Sequence, residues 1–312
     1  MRALVTGCAG FIGSTLTDRL LRDGYEVIGI DRFSDYYARD LKERNLSSAM
    51  MHPRFTLLEE DILDLDTFPS VDYVFHLAAQ AGVRASWGKS FDIYTRDNIQ
   101  ATQRLLEFYK SQKVRKFVYS SSSSVYGNVE LPMCEDQVVQ PVSPYGVSKL
   151  AAEHLCYLYW KNYRMPTVSL RYFTVYGPRQ RPDMGINKFV NATQNGEAIT
   201  IYGDGRQTRD FTYVSDAVEA NILAAMSDIC GESFNVGGGN RISVIDLIRE
   251  IEVATGKTAL LHHIEEQKGD VQDTWANPRK ADVMLGWRAQ VRIGEGLARY
   301  IAWLNGTDIN RQ

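Results

Sequence analysis

Short runs of β-branched and aliphatic residues alternate along the first half of the chain with longer stretches whose apolar positions recur every three or four residues. The runs predict strands over Ala3 to Thr6, Glu26 to Asp31, Phe55 to Glu59, Tyr73 to Leu77, Lys116 to Ser120 and Thr167 to Arg171. Strands covered on both faces read as continuous apolar runs, and helices between them supply the cover. The pattern therefore predicts an α/β fold with a doubly wound parallel sheet of the Rossmann type. Helical spacing is clearest from Asn98 to Tyr109 and from Tyr145 to Tyr163, where Leu105, Leu106, Leu150, Leu155 and Leu158 put apolar groups on more than one face. A helix apolar on two sides must bury both, so these helices are expected to carry a homodimer interface.

After Tyr176 the alternation weakens. Glycine, proline and charge become frequent through Gly177-Pro178-Arg179-Gln180-Arg181-Pro182-Asp183 and Gly203-Asp204-Gly205-Arg206. We expect a dinucleotide-type domain over residues 1–176, with later segments returning to it, and a smaller, mainly substrate-binding α/β domain over 177–312.

Composition narrows the function. A hydrophobic fraction of 44% and a charged fraction of 23% are ordinary for soluble globular chains, and a net charge of -3 argues against nucleic acid as a partner. No apolar run approaches the roughly 20 residues that span a bilayer, and the chain turns to glycine at Gly7, too early for a signal peptide. Cys8, Cys134, Cys156 and Cys230 are scattered without paired spacing, which fits a reduced cytoplasm rather than disulfides or zinc. His262 and His263 are neighbours and would point to opposite faces of a strand, so no metal site is expected.

The first chemical motif is Thr6-Gly7-Cys8-Ala9-Gly10-Phe11-Ile12-Gly13, a glycine-rich turn between the first strand and the first helix. Gly7 and Gly10 allow a tight bend close to a pyrophosphate, and Gly13 allows close helix packing. The helix start at Phe11 and Ile12 offers amide donors to an anion. Asp31 ends the second strand, where a carboxylate accepts the ribose hydroxyls of NAD and repels the 2′-phosphate of NADP; Arg32 beside it leaves NADP tolerance open. Asp61-Ile62 is placed to hold the adenine, and Leu77-Ala78-Ala79 offers small residues where backbone must pass a ligand. Each of these last pieces also has a plain packing explanation.

The second motif is Tyr145-Gly146-Val147-Ser148-Lys149, starting a helix after Ser143-Pro144. Positions four apart share a helix face, so the Lys149 ammonium can favour the Tyr145 phenolate and let it act as a general base on a sugar hydroxyl. Upstream, Ser120 to Ser124 follows the fifth strand at the edge where α/β ligands bind, and Ser122 is expected to bridge the substrate hydroxyl and Tyr145. A surface helix pair and a polar loop are the structural alternatives.

Together with HLAAQAGVR at His76 to Arg84, LRYFTVYGPRQRPD at Leu170 to Asp183 and IYGDGRQTRDFTYVSD at Ile201 to Asp216, these motifs resemble the extended short-chain dehydrogenases, and within them the nucleotide-sugar epimerases and dehydratases. The resemblance implies retained NAD, with Asn98 among its contacts. It also implies proton removal from the 4-hydroxyl by tyrosine, hydride transfer from C4, rotation of the keto sugar and hydride return to its other face. A dehydratase of this kind carries Asp-Glu directly after the hydroxyl residue, where this chain has Ser123 and Ser124.

The segment Phe173 to Met184 looks like that of UDP-glucuronate 4-epimerases, which implies a carboxylate clamp of Thr174, Arg181, Ser121 and Ser123. The structural alternative for Arg181 is a helix cap or a pair with Asp183. Resemblance further places the diphosphate on Lys188 and Arg209, uracil on Tyr202, and a nucleotide contact at Asp270. UDP-glucuronate decarboxylase and a 4-epimerase of neutral UDP-hexoses stay open, as does, from another class, an NAD-binding regulator without catalysis.

Overall fold

The computed structural model describes residues 1–265 and 271–307. The chain begins β1 (Arg2–Thr6), α1 (Phe11–Arg22), β2 (Glu26–Ile30), α2 (Arg39–Met50), β3 (Phe55–Leu58) and β4 (Tyr73–His76). A single turn α3 (Phe91–Tyr94), a π-helical stretch Thr95–Gln100 and α4 (Ala101–Tyr109) then form one rod. It is followed by β5 (Lys116–Ser122), α5 (Pro144–Tyr163) and β6 (Thr167–Tyr172). The second half contributes β7 (Thr174–Tyr176), α6 (Gly185–Asn195), β8 (Ala198–Tyr202), β9 (Thr208–Tyr213), α7 (Val214–Met226) and β10 (Glu232–Val236). It ends with β11 (Asn240–Ser243), α8 (Val244–Thr255), β12 (Leu260–Ile264), α9 (Arg279–Leu285) and α10 (Ile293–Leu304).

All six expected strands form, in one parallel sheet of order β10-β6-β5-β4-β1-β2-β3. The strand order reverses between β1 and β4, which opens a crevice above their carboxyl ends. The core has two sides because alternate residues of a strand face opposite ways. Ala3 and Val5 of β1 join a cluster with Leu16 and Leu20 of α1 and Ala217 and Ala224 of α7, whereas Leu4 joins Leu105, Tyr109, Cys156 and Tyr159 of α4 and α5. β10 returns to the edge of the large sheet after β7 and β9, which with the later β11 form a second, three-stranded sheet, and β8 pairs with β12 in a third.

Two boundaries differ from the sequence reading by more than one residue. β5 runs on to Ser122, because β6 continues to pair with it at Ser121↔Arg171 and Ser122↔Tyr172. The helix expected to start at Asn98 starts at Phe91 and passes through the π-helical stretch. A π turn adds a residue to the helical repeat and shifts the phase of the apolar pattern upstream of it.

Candidate active site

The crevice at the strand reversal is a cleft of about 410 Å³, within the ~300–1,000 Å³ range of small-molecule sites. Gly7, Gly10, Phe11, Ile12 and Gly13 line one end. Gly7 has a φ of +70°, and a Cβ on it would sit 2.8 Å from the Ala78 amide, while one on Gly13 would sit 2.1 Å from the Gly7 carbonyl. Backbone therefore passes backbone with no room for a side chain. Helix α1 starts at Phe11 from an extended Gly10 without a side-chain cap, which leaves its first-turn amides facing the cleft. A cradle of uncapped amides at a helix N-terminus suits a pyrophosphate, so the residues present fit a dinucleotide.

Asp31 lines the same end of the cleft. Its Oδ2 accepts from the Ala9 amide at 3.0 Å and its Oδ1 from the Phe33 amide at 2.9 Å. Burial raises its carboxyl pKa, and those two amides offset part of the rise. Arg32 is engaged by Asp61 at 2.9 Å and Asp97 at 2.6 Å, and Arg96 reaches the same two carboxylates, so two cations and two anions balance at the rim. Ile62, Leu77, Ala78 and Ala79 also line the cleft.

Asn98 is buried behind that wall. It accepts from the Gln80 amide at 2.7 Å, donates to the Gln80 carbonyl at 3.1 Å and donates to Ser148 Oγ at 2.8 Å. It ties the loop after β4 to helix α5. Beside it His76 bridges Thr6 and Thr102, and its tautomer follows from their other bonds. Thr102 donates to the Asn98 carbonyl and so accepts from Nε2, while Thr6 accepts from the Ala78 amide and donates to Nδ1. Burial, helped by the charge of Lys149, pushes the His76 pKa down to about 3, so the ring is neutral.

Ser143 caps α5 by accepting from the Gly146 amide at 3.1 Å, and Pro144 occupies the first turn, which sets Tyr145 at the mouth of the helix. Tyr145, Lys149 and Glu153 then lie on one face. Burial raises the Tyr145 pKa, while a hydrogen bond with Ser122 and the charge of Arg181 work against it. The Lys149 ammonium donates to the Ser120 carbonyl at 2.7 Å, and burial pushes its pKa down to about 7.

Beneath Lys149 lies a pair that the sequence reading missed. Arg171 Nη2 donates to Glu153 Oε1 at 2.6 Å and Arg171 Nε lies 3.2 Å from both Glu153 oxygens, with both side chains buried. Arg171 Nη1 donates to Tyr126 Oη at 2.8 Å, which donates to Asn235 Oδ1 at 2.7 Å. Ser121 belongs to this network. Its hydroxyl donates to Glu153 Oε2 at 2.6 Å, so Ser121, expected in the carboxylate clamp, lines the cleft with its hydroxyl engaged by Glu153.

Ser122, Ser123, Thr174 and Arg181 line the same cleft as Tyr145 and Lys149. Arg181 donates from Nε to Asp183 Oδ1 at 2.9 Å and from Nη2 to Oδ2 at 3.1 Å, which is the structural alternative weighed above. Lys188 on α6, Tyr202 at the end of β8 and Arg209 on β9 stand outside the cleft lining. Arg84 covers the Tyr202 ring at 4.2 Å, and Arg209 donates to the Gln272 carbonyl at 2.8 Å. Asp270 lies outside the described residues. Among the described residues no His, Cys, Asp and Glu cluster suits a metal.

Known proteins share this architecture along nearly the whole chain. A UDP-glucuronate 4-epimerase of Thermodesulfobacterium geofontis is 40% identical over 308 residues, covering 96% of this chain and 95% of its own. An uncharacterised UDP-glucose epimerase of Bacillus subtilis is 43% identical over 310 residues, covering 98% of both chains. The crystal structure of a UDP-glucuronic acid 4-epimerase from Bacillus cereus, in complex with UDP-glucuronic acid and NAD, superposes with a TM-score of 0.95 at 43% identity, over 98% of this chain and 99% of that one. The profile of the GDP-mannose 4,6-dehydratase family matches residues 4–300, and with a parallel sheet, glycine cradle and tyrosine-lysine helix all in place the chain belongs to that family.

Proposed function

We propose that this protein is an NAD-dependent 4-epimerase of UDP-sugars that interconverts UDP-glucuronate and UDP-galacturonate. The observation that carries the reading is the pairing, across one cleft, of Tyr145 held by Ser122 with a guanidinium, Arg181, that reaches the same space. The relatives named for UDP-glucuronate 4-epimerisation, and the Bacillus cereus complex holding UDP-glucuronic acid and NAD, support it.

NAD, when bound, supplies a hydride acceptor at C4 of the sugar and returns the hydride later. Tyr145 takes the 4-hydroxyl proton, and Ser122 orients that hydroxyl and the phenol. Lys149 has its pKa near neutrality, and a bound dinucleotide's negative charge favours its ammonium, which then lowers the pKa of Tyr145. Arg181 and Thr174 hold the sugar carboxylate, with Ser123 beside them, because a planar guanidinium fork matches two carboxylate oxygens. Ser123 and Ser124 have no carboxyl group to eliminate water, which sets this chain apart from the activity for which its family is named.

The diphosphate and uracil are assigned to Lys188, Arg209, Tyr202 and Asp270 in the second half. Val147, Leu158 and Tyr163 are exposed apolar residues on α5, which suits a homodimer formed through α4 and α5. Among the described residues no helix is long and apolar enough to cross a membrane, and we place the enzyme in the cytoplasm. Proton NMR of the purified protein with UDP-glucuronate and no added NAD tests the reading. New anomeric signals of UDP-galacturonate are the expected result; a pentose product makes it a decarboxylase, and turnover of UDP-glucose alone makes it a neutral-hexose epimerase.

A further inference from the structure

We infer that Asp183 and Tyr36 are positioning residues that aim Arg181 at the sugar carboxylate and tie that aim to the cofactor loop. The inference rests on the proposed function. A guanidinium has two forks, one between Nε and one Nη, the other between the two Nη groups. Asp183 occupies the first through Nε and Nη2. Arg181 Nη1 has no hydrogen-bond partner among the described residues, and Arg181 lines the cleft with Tyr145 and Thr174. The second fork is thus the one left for a carboxylate, and Asp183 sets its direction from behind.

Tyr36 holds Asp183 in turn, donating to Oδ2 at 3.2 Å. It belongs to the loop that begins at Asp31, on the cofactor side of the cleft. A third contact keeps that reach open. Gly82 has a φ of +103°, and a Cβ there would lie 2.8 Å from Tyr36 Oη. Tyr94 Oη donates to the Gly82 carbonyl at 2.7 Å, and the Tyr94 ring meets that of Tyr145 edge-on at 6.2 Å. The contacts Tyr145, Tyr94, Gly82, Tyr36, Asp183 and Arg181 therefore run as a chain around the cleft, from the base to the carboxylate and back to the base through the charge of Arg181.

The chemistry gives this aim a purpose. A 4-keto uronate is a β-keto acid. When the C5–C6 bond aligns with the carbonyl π system it breaks, carbon dioxide leaves, the electron pair remains as an enolate at C5 and a solvent proton quenches it. A carboxylate held out of that alignment keeps its carbon.

The test compares wild type, Asp183→Asn and Tyr36→Phe with UDP-glucuronate, following epimer and pentose products by NMR, with a thermal melt to show each variant is folded. We expect Asp183→Asn to lower kcat about tenfold or more, with KM within about threefold, and to raise the share of pentose product above wild type. Tyr36→Phe, which removes only a hydroxyl, shifts the same two quantities less and serves alone if Asp183→Asn does not fold. Wild-type kcat and product share in the folded variants overturn the inference and leave the epimerase reading standing, as does a loss confined to KM. A wild-type enzyme that leaves UDP-glucuronate untouched overturns both.

Discussion

Removing one member of the buried Glu153–Arg171 pair tests how the catalytic helix is held. In Glu153→Leu the guanidinium keeps its bond to Tyr126 but loses its charge partner inside a region where its side chain is 7% exposed. Breaking such a pair from one side costs about 3–5 kcal/mol, a large part of the roughly 5–15 kcal/mol that stabilises most proteins. At ~2–4 °C per kcal/mol for a chain of somewhat smaller size, the melting temperature falls by about 6–20 °C. Replacing both, as Glu153→Leu with Arg171→Met, removes the charges together and costs less than either single change. Burial alone raises the Glu153 carboxyl, but Arg171 and Ser121 outweigh it and the net pKa lies below the usual value. That part of the stability is present above the unfolded carboxyl pKa and lost as pH falls through the folded one. Denaturant unfolding of the four proteins in a double-mutant cycle measures the coupling. Additive losses, or single variants within the ~±0.5 kcal/mol typical of surface changes, refute the reasoning.

Three further expectations follow from the geometry. Tyr145→Phe lowers epimerisation of UDP-glucuronate by about 10²–10⁴, the usual worth of a general base, while calorimetry still finds the nucleotide sugar bound; undiminished turnover removes Tyr145 from the chemistry. His76 is neutral in the fold with a pKa of about 3, against roughly 6.5 when unfolded, so between those values the unfolded chain binds the extra proton. Unfolding free energy should then fall by up to about 1.4 kcal/mol per pH unit on this account as pH drops from 6.5 toward 3, and His76→Asn should show a shallower acid limb. Gly13→Ala forces a methyl to within 2.1 Å of the Gly7 carbonyl, so the helix must retreat; retained NAD per subunit, read by absorbance after purification, should drop and stability fall by about 1–3 kcal/mol.

Six of the seven strands of the large sheet were legible because they stand out as apolar runs, each fixed within two residues by the pattern alone, whereas β10 was not expected. Gly7, Asp31 and Tyr145 were legible because their chemistry depends on short spacings at strand and helix ends. The Glu153–Arg171 pair and the Tyr36–Asp183 contact were not, since their partners lie 18 and 147 positions apart and meet only when the sheet assembles. The partner of Ser121 was hidden for a simpler reason: five serines in a row look alike, and the Glu153 carboxylate that its hydroxyl meets lies 32 positions away.

The position of β10 bears on how such proteins can be recombined. Its seventh place in the large sheet is filled by chain that has already built part of the sugar side, and α7, just before it, packs on α1. A cut after Tyr176 would leave β6 with an open edge and α1 with an uncovered face. A chimera meant to exchange substrate preference between relatives should therefore keep Val214 to Val236 with the first half and graft the flanking stretches on either side as two separate inserts.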